Sequence, residues 1–206
     1  MKPIHNEAKP RDAEKTMLSA LLLSSPGPLV TGLSVLMSLS ITQFADFLRR
    51  TTELVAVFVS WWVYRRLKKR TVTPEEQIRL EKLSQHSVRI AMCFSGCLLF
   101  ILAVLQVTQY KPGGNVSVGL TIAILGLLTN SYFWLRYRSM SHDSYVSVVK
   151  GQEKLYRAKS AVDLCVVIAL TAVAIAPAHP YTKIIDISGS ILISVYLIYS
   201  GLHPNP

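Results

Sequence analysis

Six apolar runs, at roughly 17–38, 42–64, 86–108, 115–135, 157–177 and 184–202, divide this chain, and each is close to the ~20 residues an α-helix needs to cross the ~30 Å hydrocarbon layer of a bilayer. Backbone polar groups placed in lipid must be satisfied within their own segment, so helix is the conformation open to these runs. No run sustains a two-residue alternation of apolar and polar side chains, which argues against a barrel. Composition agrees. Of 206 residues 50% are hydrophobic and 17% charged, against roughly 25% charged in an ordinary soluble domain, and the mean hydropathy is +0.36. The expectation is an all-α integral membrane protein of six transmembrane helices. Residues 1–16 form a polar cytoplasmic tail, 17–202 the six-span domain, and 203–206 a short tail. No small-residue cleavage site follows the first run, so that run is read as a retained span. No carboxy-terminal soluble domain is expected.

The net charge of +10 is explained by where it sits. Lys and Arg concentrate in the amino-terminal tail, in the second connection (Arg65, Arg66, Lys68, Lys69, Arg70, Arg79, Lys82) and in the fourth (Arg136, Arg138, Lys150, Lys154). The third and fifth connections carry only Lys111 and Lys183. Positive charge stays on the cytoplasmic side, which puts both termini there and the protein in the cytoplasmic (inner) membrane. Trp61-Trp-Val-Tyr-Arg-Arg66 and Tyr132-Phe-Trp-Leu-Arg-Tyr-Arg138 place aromatic rings at the headgroup level with Arg reaching past them. The basic band therefore suits anionic lipid, and nucleic acid is not expected as a partner.

Two local signals stand out. Thr73-Pro-Glu-Glu76 reads as a helix start, with Thr73 as cap and Pro74 at the first position, and so as a short cytoplasmic lead into the third span. Ser24-Ser-Pro-Gly-Pro28 falls at mid-depth of the first run, where proline should kink or break the helix. Such a break is either a packing kink or a cavity-lining interruption of the kind transporters use, with Pro26 and Pro28 as a gate.

The ionisable residues inside the runs are the most informative, because a charge at the bilayer centre costs at least ~2.5–3.5 kcal/mol. The second run holds Asp46, Arg49, Arg50 and Glu53, and the fifth holds Arg157, Lys159 and Asp163. Asp46, Arg50 and Glu53 share one helical face, as do Lys159 and Asp163. The two runs are antiparallel, so Glu53 and Asp163 are expected to meet near the midplane. One reading is a structural ion-pair network, with Glu53 paired to Arg49 or Lys159 and Asp163 to the other base. The second is a cation pathway, favoured because buried ion pairs add little stability for their desolvation cost.

At these residues the sequence resembles the cation diffusion facilitators, a family of metal transporters, over nearly the whole chain. The family's second span reads Asp, two residues, His or Asp, three residues, Asp. Phe44-Ala-Asp-Phe-Leu-Arg-Arg-Thr-Thr-Glu53 fits that frame with Asp46 leading, Arg49 at the His/Asp position and Glu53 at the last. A frame pairing Asp46 with Arg50 fits as well. The family's fifth span carries His or Asp, three residues, Asp, matched by Lys159 and Asp163. The resemblance implies a homodimer in the lipid bilayer that exports a divalent cation against protons by alternating access. Asp46, Glu53 and Asp163 are its candidate cation site, and Arg49, Arg50 and Lys159 its charge partners. The bases depart from the family pattern. Protonated Lys and Arg offer no lone pair, and a unit positive charge ~4 Å from a divalent ion repels it by roughly 8 kcal/mol at an effective dielectric of ~20. Either Lys159 yields its proton as a cation enters, or the bases serve as built-in cations and the site binds no metal.

Other groups weigh less. Cys93 and Cys97, one turn apart, with Cys165, read as packing residues before soft-metal ligands. Thr129, Asn130 and Ser131 read as polar glue between helices. Asp186 reads as a helix-start acid. His86, His142 and Asp143 are a weak candidate for a cytoplasmic entry site. No phosphate-cradling glycine loop or nucleophile motif occurs, so an enzyme is not expected, nor a bound cofactor beyond a transported cation. The alternative to transport is a membrane homologue acting as partner or assembly protein, its charges permanently paired.

Overall fold

Proline sets the first irregularity. Pro26 and Pro28 have no N–H to donate, and the first apolar run forms two helices, α1 (Ala8–Ser24) and α2 (Pro26–Ser38), with a turn at Ser25 between them. Ser25 N–H closes the last turn of α1 on the Leu21 carbonyl at 3.0 Å. Pro26 opens α2 at the position where a missing N–H costs nothing. The expected kink is thus a break.

Five further helices follow in the computed structural model: α3 (Ile41–Leu67), α4 (Pro74–Thr108), α5 (Val116–Ser141), α6 (Ser147–Ile175) and α7 (Pro180–Leu202). The structure describes residues 8–38, 41–68, 72–108, 116–141, 147–175 and 180–203, and no strand occurs among them. The expected turns near residues 38–41 and at 110–115, part of the fifth connection, and His142 and Asp143 lie outside the described residues.

Among the described residues four stretches are long and apolar enough to cross a membrane: Ala13–Leu33, Pro74–Val107, Ser147–Ile175 and Tyr181–Leu202. The first half of α3 is loaded with Asp46, Arg49, Arg50 and Glu53, which lowers its apolarity. The α4 start is as expected, with Thr73 Oγ1 accepting the Glu76 N–H at 3.3 Å. Several helices are longer than their apolar runs. α1 begins at Ala8, inside the polar tail, and α6 begins at Ser147, ten residues before the expected span. The reason is packing beyond the apolar run: Ala13, Val148, Val149, Gln152 and Leu155 are all buried.

Polar contacts gather one set of helix ends. Lys68, just past α3, pairs with Glu14 of α1 at 2.8 Å. Arg136 of α5 donates to Thr16 Oγ1 at 2.8 Å, Ser147 at the start of α6 donates to Glu81 of α4 at 2.5 Å, and Arg89 of α4 donates to the Gly201 carbonyl at 3.0 Å. Lys68, Arg89 and Arg136 therefore share one end of the bundle. Its core there is dense, with Met17, Met92, Tyr137, Leu155 and Tyr156 wholly or almost wholly buried. Phe133, Tyr137 and Tyr156 pack ring against ring at 5.3–6.4 Å. Farther along, Leu29, Leu33, Ile101, Ile168 and Leu192 are exposed, an apolar belt suited to acyl chains.

Glycine joins α4 to α7. A Cβ on Gly96 would stand 2.8 Å from Ile198 Cγ1 and 2.9 Å from the Ser194 carbonyl, and one on Gly201 would overlap Cys93 Sγ. Backbones this close are the usual result of small residues at helix crossings in membranes.

Candidate functional site

The charged residues of α3 lie on successive turns, and their side chains meet over one face. Arg49 Nη2 donates to Asp46 Oδ1 at 2.9 Å and Arg49 Nη1 to Glu53 Oε1 at 3.2 Å. Arg50 Nε donates to Asp46 Oδ2 at 2.7 Å. From α6, Lys159 Nζ reaches Glu53 Oε2 at 3.4 Å. From α4, Ser95 Oγ donates to Glu53 Oε1 at 3.3 Å. Glu53 is thus the hub, its side chain 8% exposed, with Lys159 at 13% and Arg49 at 12%.

Asp163 takes a different partner. The sequence pattern allowed a Lys159–Asp163 pair along α6, or Asp163 with whichever base Glu53 left over. The structure gives both bases to Glu53, because Lys159 turns across to α3. Asp163 instead accepts a hydrogen bond from Asn130 Nδ2 of α5 at 2.6 Å. Gly126, one turn before Asn130, leaves the room: a Cβ there would lie 3.3 Å from Asp163 Oδ2.

These groups line one cavity of about 630 Å³ bounded by the α1–α2 break, α3, α4, α5 and α6. Asp46, Arg49, Arg50, Glu53, Lys159 and Asp163 all face it, as do Ser24, Gly27, Pro28, Thr129 and Asn130. Gly27, at the break, lies against the Arg50 guanidinium, 3.6 Å from where a Cβ would be. Tyr156 packs beside two residues of the cavity, Lys159 and Ser24. Its ring sits 5.0 Å from Lys159 Nζ, a cation–π distance, and its hydroxyl shares a hydrogen bond with Ser24 at 3.2 Å.

Sequence reasoning passed over Ser95, Gly126 and Tyr156. The spacing of Gly126 to Asn130 and of Tyr156 to Lys159, four and three residues, was the available signal, since such pairs share a helix face. Nothing local marks Ser95, which meets Glu53 only through the packing of α4 on α3.

The lesser candidates resolve separately. Cys93 packs at the α4–α7 seam with Sγ 4.0 Å from the Ile198 carbonyl. All three cysteines are free thiols. Among the described residues no three His, Cys, Asp or Glu side chains form a group that could hold a metal ion. His86 is exposed, with Nδ1 2.8 Å from the Lys82 carbonyl. Asp186 lies beyond the first turn of α7, so the helix-start explanation offered for it does not apply.

What the arrangement can do follows from its contents. It is a cavity among helices in which carboxylates of α3 and α6 are held by bases, a hydroxyl and an amide. Among the curated proteins compared, none matches this chain. The cation efflux transmembrane domain matches residues 17–203, nearly the whole length, and the chain belongs to that cation efflux family.

Proposed function

We propose that the protein carries a cation across the cytoplasmic membrane through the cavity between α3 and α6, with six spans, both termini cytoplasmic, and two copies working together. The observation that carries this reading is the single cavity shared by Asp46, Glu53 and Asp163 beside a broken helix. Ionisable groups are retained at membrane depth where they face water or a substrate path, and interrupted helices border such paths in transporters. The dense packing of Phe133, Tyr137 and Tyr156 on the basic side supports alternating access, since that side must loosen before an ion can pass. Lys159 stands in the path as a built-in competitor: its ammonium, 3.4 Å from Glu53 Oε2, contends with an entering cation for the carboxylates of the cavity.

The test is ion flux into proteoliposomes for wild type and Asp163→Ala. Transport predicts flux above protein-free vesicles that falls by about ten-fold or more in the variant, since one lost charge-assisted contact costs more than the 1.4 kcal/mol of a decade. Equal flux in the two proteins refutes the pathway and leaves the partner or assembly role.

A further inference from the structure

The charges facing the cavity cancel. Asp46, Glu53 and Asp163 are matched by Arg49, Arg50 and Lys159. Two of the acids are committed as well as balanced: Asp46 holds both arginines, and Glu53 holds Arg49 and Lys159. Asp163 has no ion pair among the described residues and is bound by the neutral amide of Asn130. One carboxylate is therefore open to an incoming ion, in a lining whose charges, its own included, sum to zero.

We infer that this site selects a monovalent alkali cation over a divalent one, an inference that rests on the reading of the chain as a cation transporter. The cost of stripping water from an ion rises with the square of its charge, whereas its attraction to fixed charges rises only in proportion. A divalent ion needs a strongly negative site to recover that cost, and a balanced lining with one open carboxylate is not such a site. The remaining donors point the same way. Pro28 has no N–H for the Ser24 carbonyl, and both residues line the cavity. Thr129 and Asn130 add neutral oxygens to the same wall. Neutral carbonyl and hydroxyl oxygens of interrupted backbone are what alkali ions accept in place of water.

The experiment is tracer uptake by the full chain in phosphatidylethanolamine–phosphatidylglycerol vesicles, with radioactive sodium, rubidium, zinc and manganese in separate arms. Sodium or rubidium uptake should exceed that of protein-free vesicles by about ten-fold or more, a discrimination worth at least 1.4 kcal/mol, with zinc and manganese at background. In wild type, excess unlabelled sodium or potassium should suppress the uptake and excess manganese should not. Lys159→Gln makes the lining net negative and should raise the divalent-to-monovalent ratio by about ten-fold or more. Zinc or manganese uptake without sodium or rubidium uptake, comparable uptake of both classes, or suppression by manganese overturns the inference and leaves cation transport standing. Absence of uptake in every arm overturns transport itself, and this inference with it.

Discussion

Glu53 and Lys159 make an asymmetric pair, and the asymmetry is measurable. Removing the acid with Glu53→Gln leaves Arg49 its contact with Asp46 at 2.9 Å. Lys159, its side chain 13% exposed, loses its one ion pair among the described residues, with Asp163 a turn away on its own helix. Stranding a buried cation costs about 3 kcal/mol, the low end of the range because the cavity admits water. Removing the base with Lys159→Gln leaves Glu53 bound to Arg49 at 3.2 Å and Ser95 at 3.3 Å, so the loss should be about 1 kcal/mol, that of one hydrogen bond. At 3.4 Å the Coulomb attraction is about 5 kcal/mol for an effective dielectric of ~20. Desolvation offsets more than half of it. A double-mutant cycle should therefore return a coupling of about 2 kcal/mol. The assay is reversible unfolding in mixed micelles on adding sodium dodecyl sulfate, followed by tryptophan fluorescence. A coupling within about 0.5 kcal/mol of zero, as for exposed pairs, or a larger loss from Lys159→Gln than from Glu53→Gln, would refute the account of Glu53 as a buried hub.

The other expectations concern packing. Gly201→Ala and Gly96→Ala force a Cβ against Cys93 and Ile198 and should each lower unfolding stability in micelles by about 1–3 kcal/mol. Gly189→Ala, with open space at its Cβ, should be neutral or stabilise by up to about 1 kcal/mol. Gln152 is wholly buried, and neither its amide oxygen nor its nitrogen has a partner among the described residues, so Gln152→Met should raise stability by about 1–2 kcal/mol in a thermal melt; a lower melting temperature would refute the amide as an unmet polar group. Gly126→Ala pushes on Asp163 Oδ2 from 3.3 Å and should cut ion flux while changing stability by less than about 1 kcal/mol.

Helical class, the break at Pro26 and the start of α4 at Pro74 are legible in the sequence because each depends on a property carried by neighbouring residues: an apolar run, a missing N–H, a capping hydroxyl. The charges of α3 are legible for the same reason, since Asp46, Arg49, Arg50 and Glu53 fall on adjacent turns whatever surrounds them. Helix length is less so. α6 starts ten residues early because Val148, Val149 and Leu155 find partners in other helices, and no hydropathy run announces that.

Which acid holds which base was decided only by tertiary packing. Lys159 could reach Asp163 along its own helix or Glu53 on another, and the two options differ by the position of α3 relative to α6. Local spacing cannot encode that position, which is set by side chains far apart in the chain. Asn130 meets Asp163 for the same reason, with Gly126 clearing the space, and Ser95 meets Glu53 because α4 packs on α3. The sequence alone determined that these charges would fall on adjacent turns of two otherwise apolar helices. The fold alone decided that Glu53 is shared by two bases and that Asp163 faces the cavity with no ion pair among the described residues.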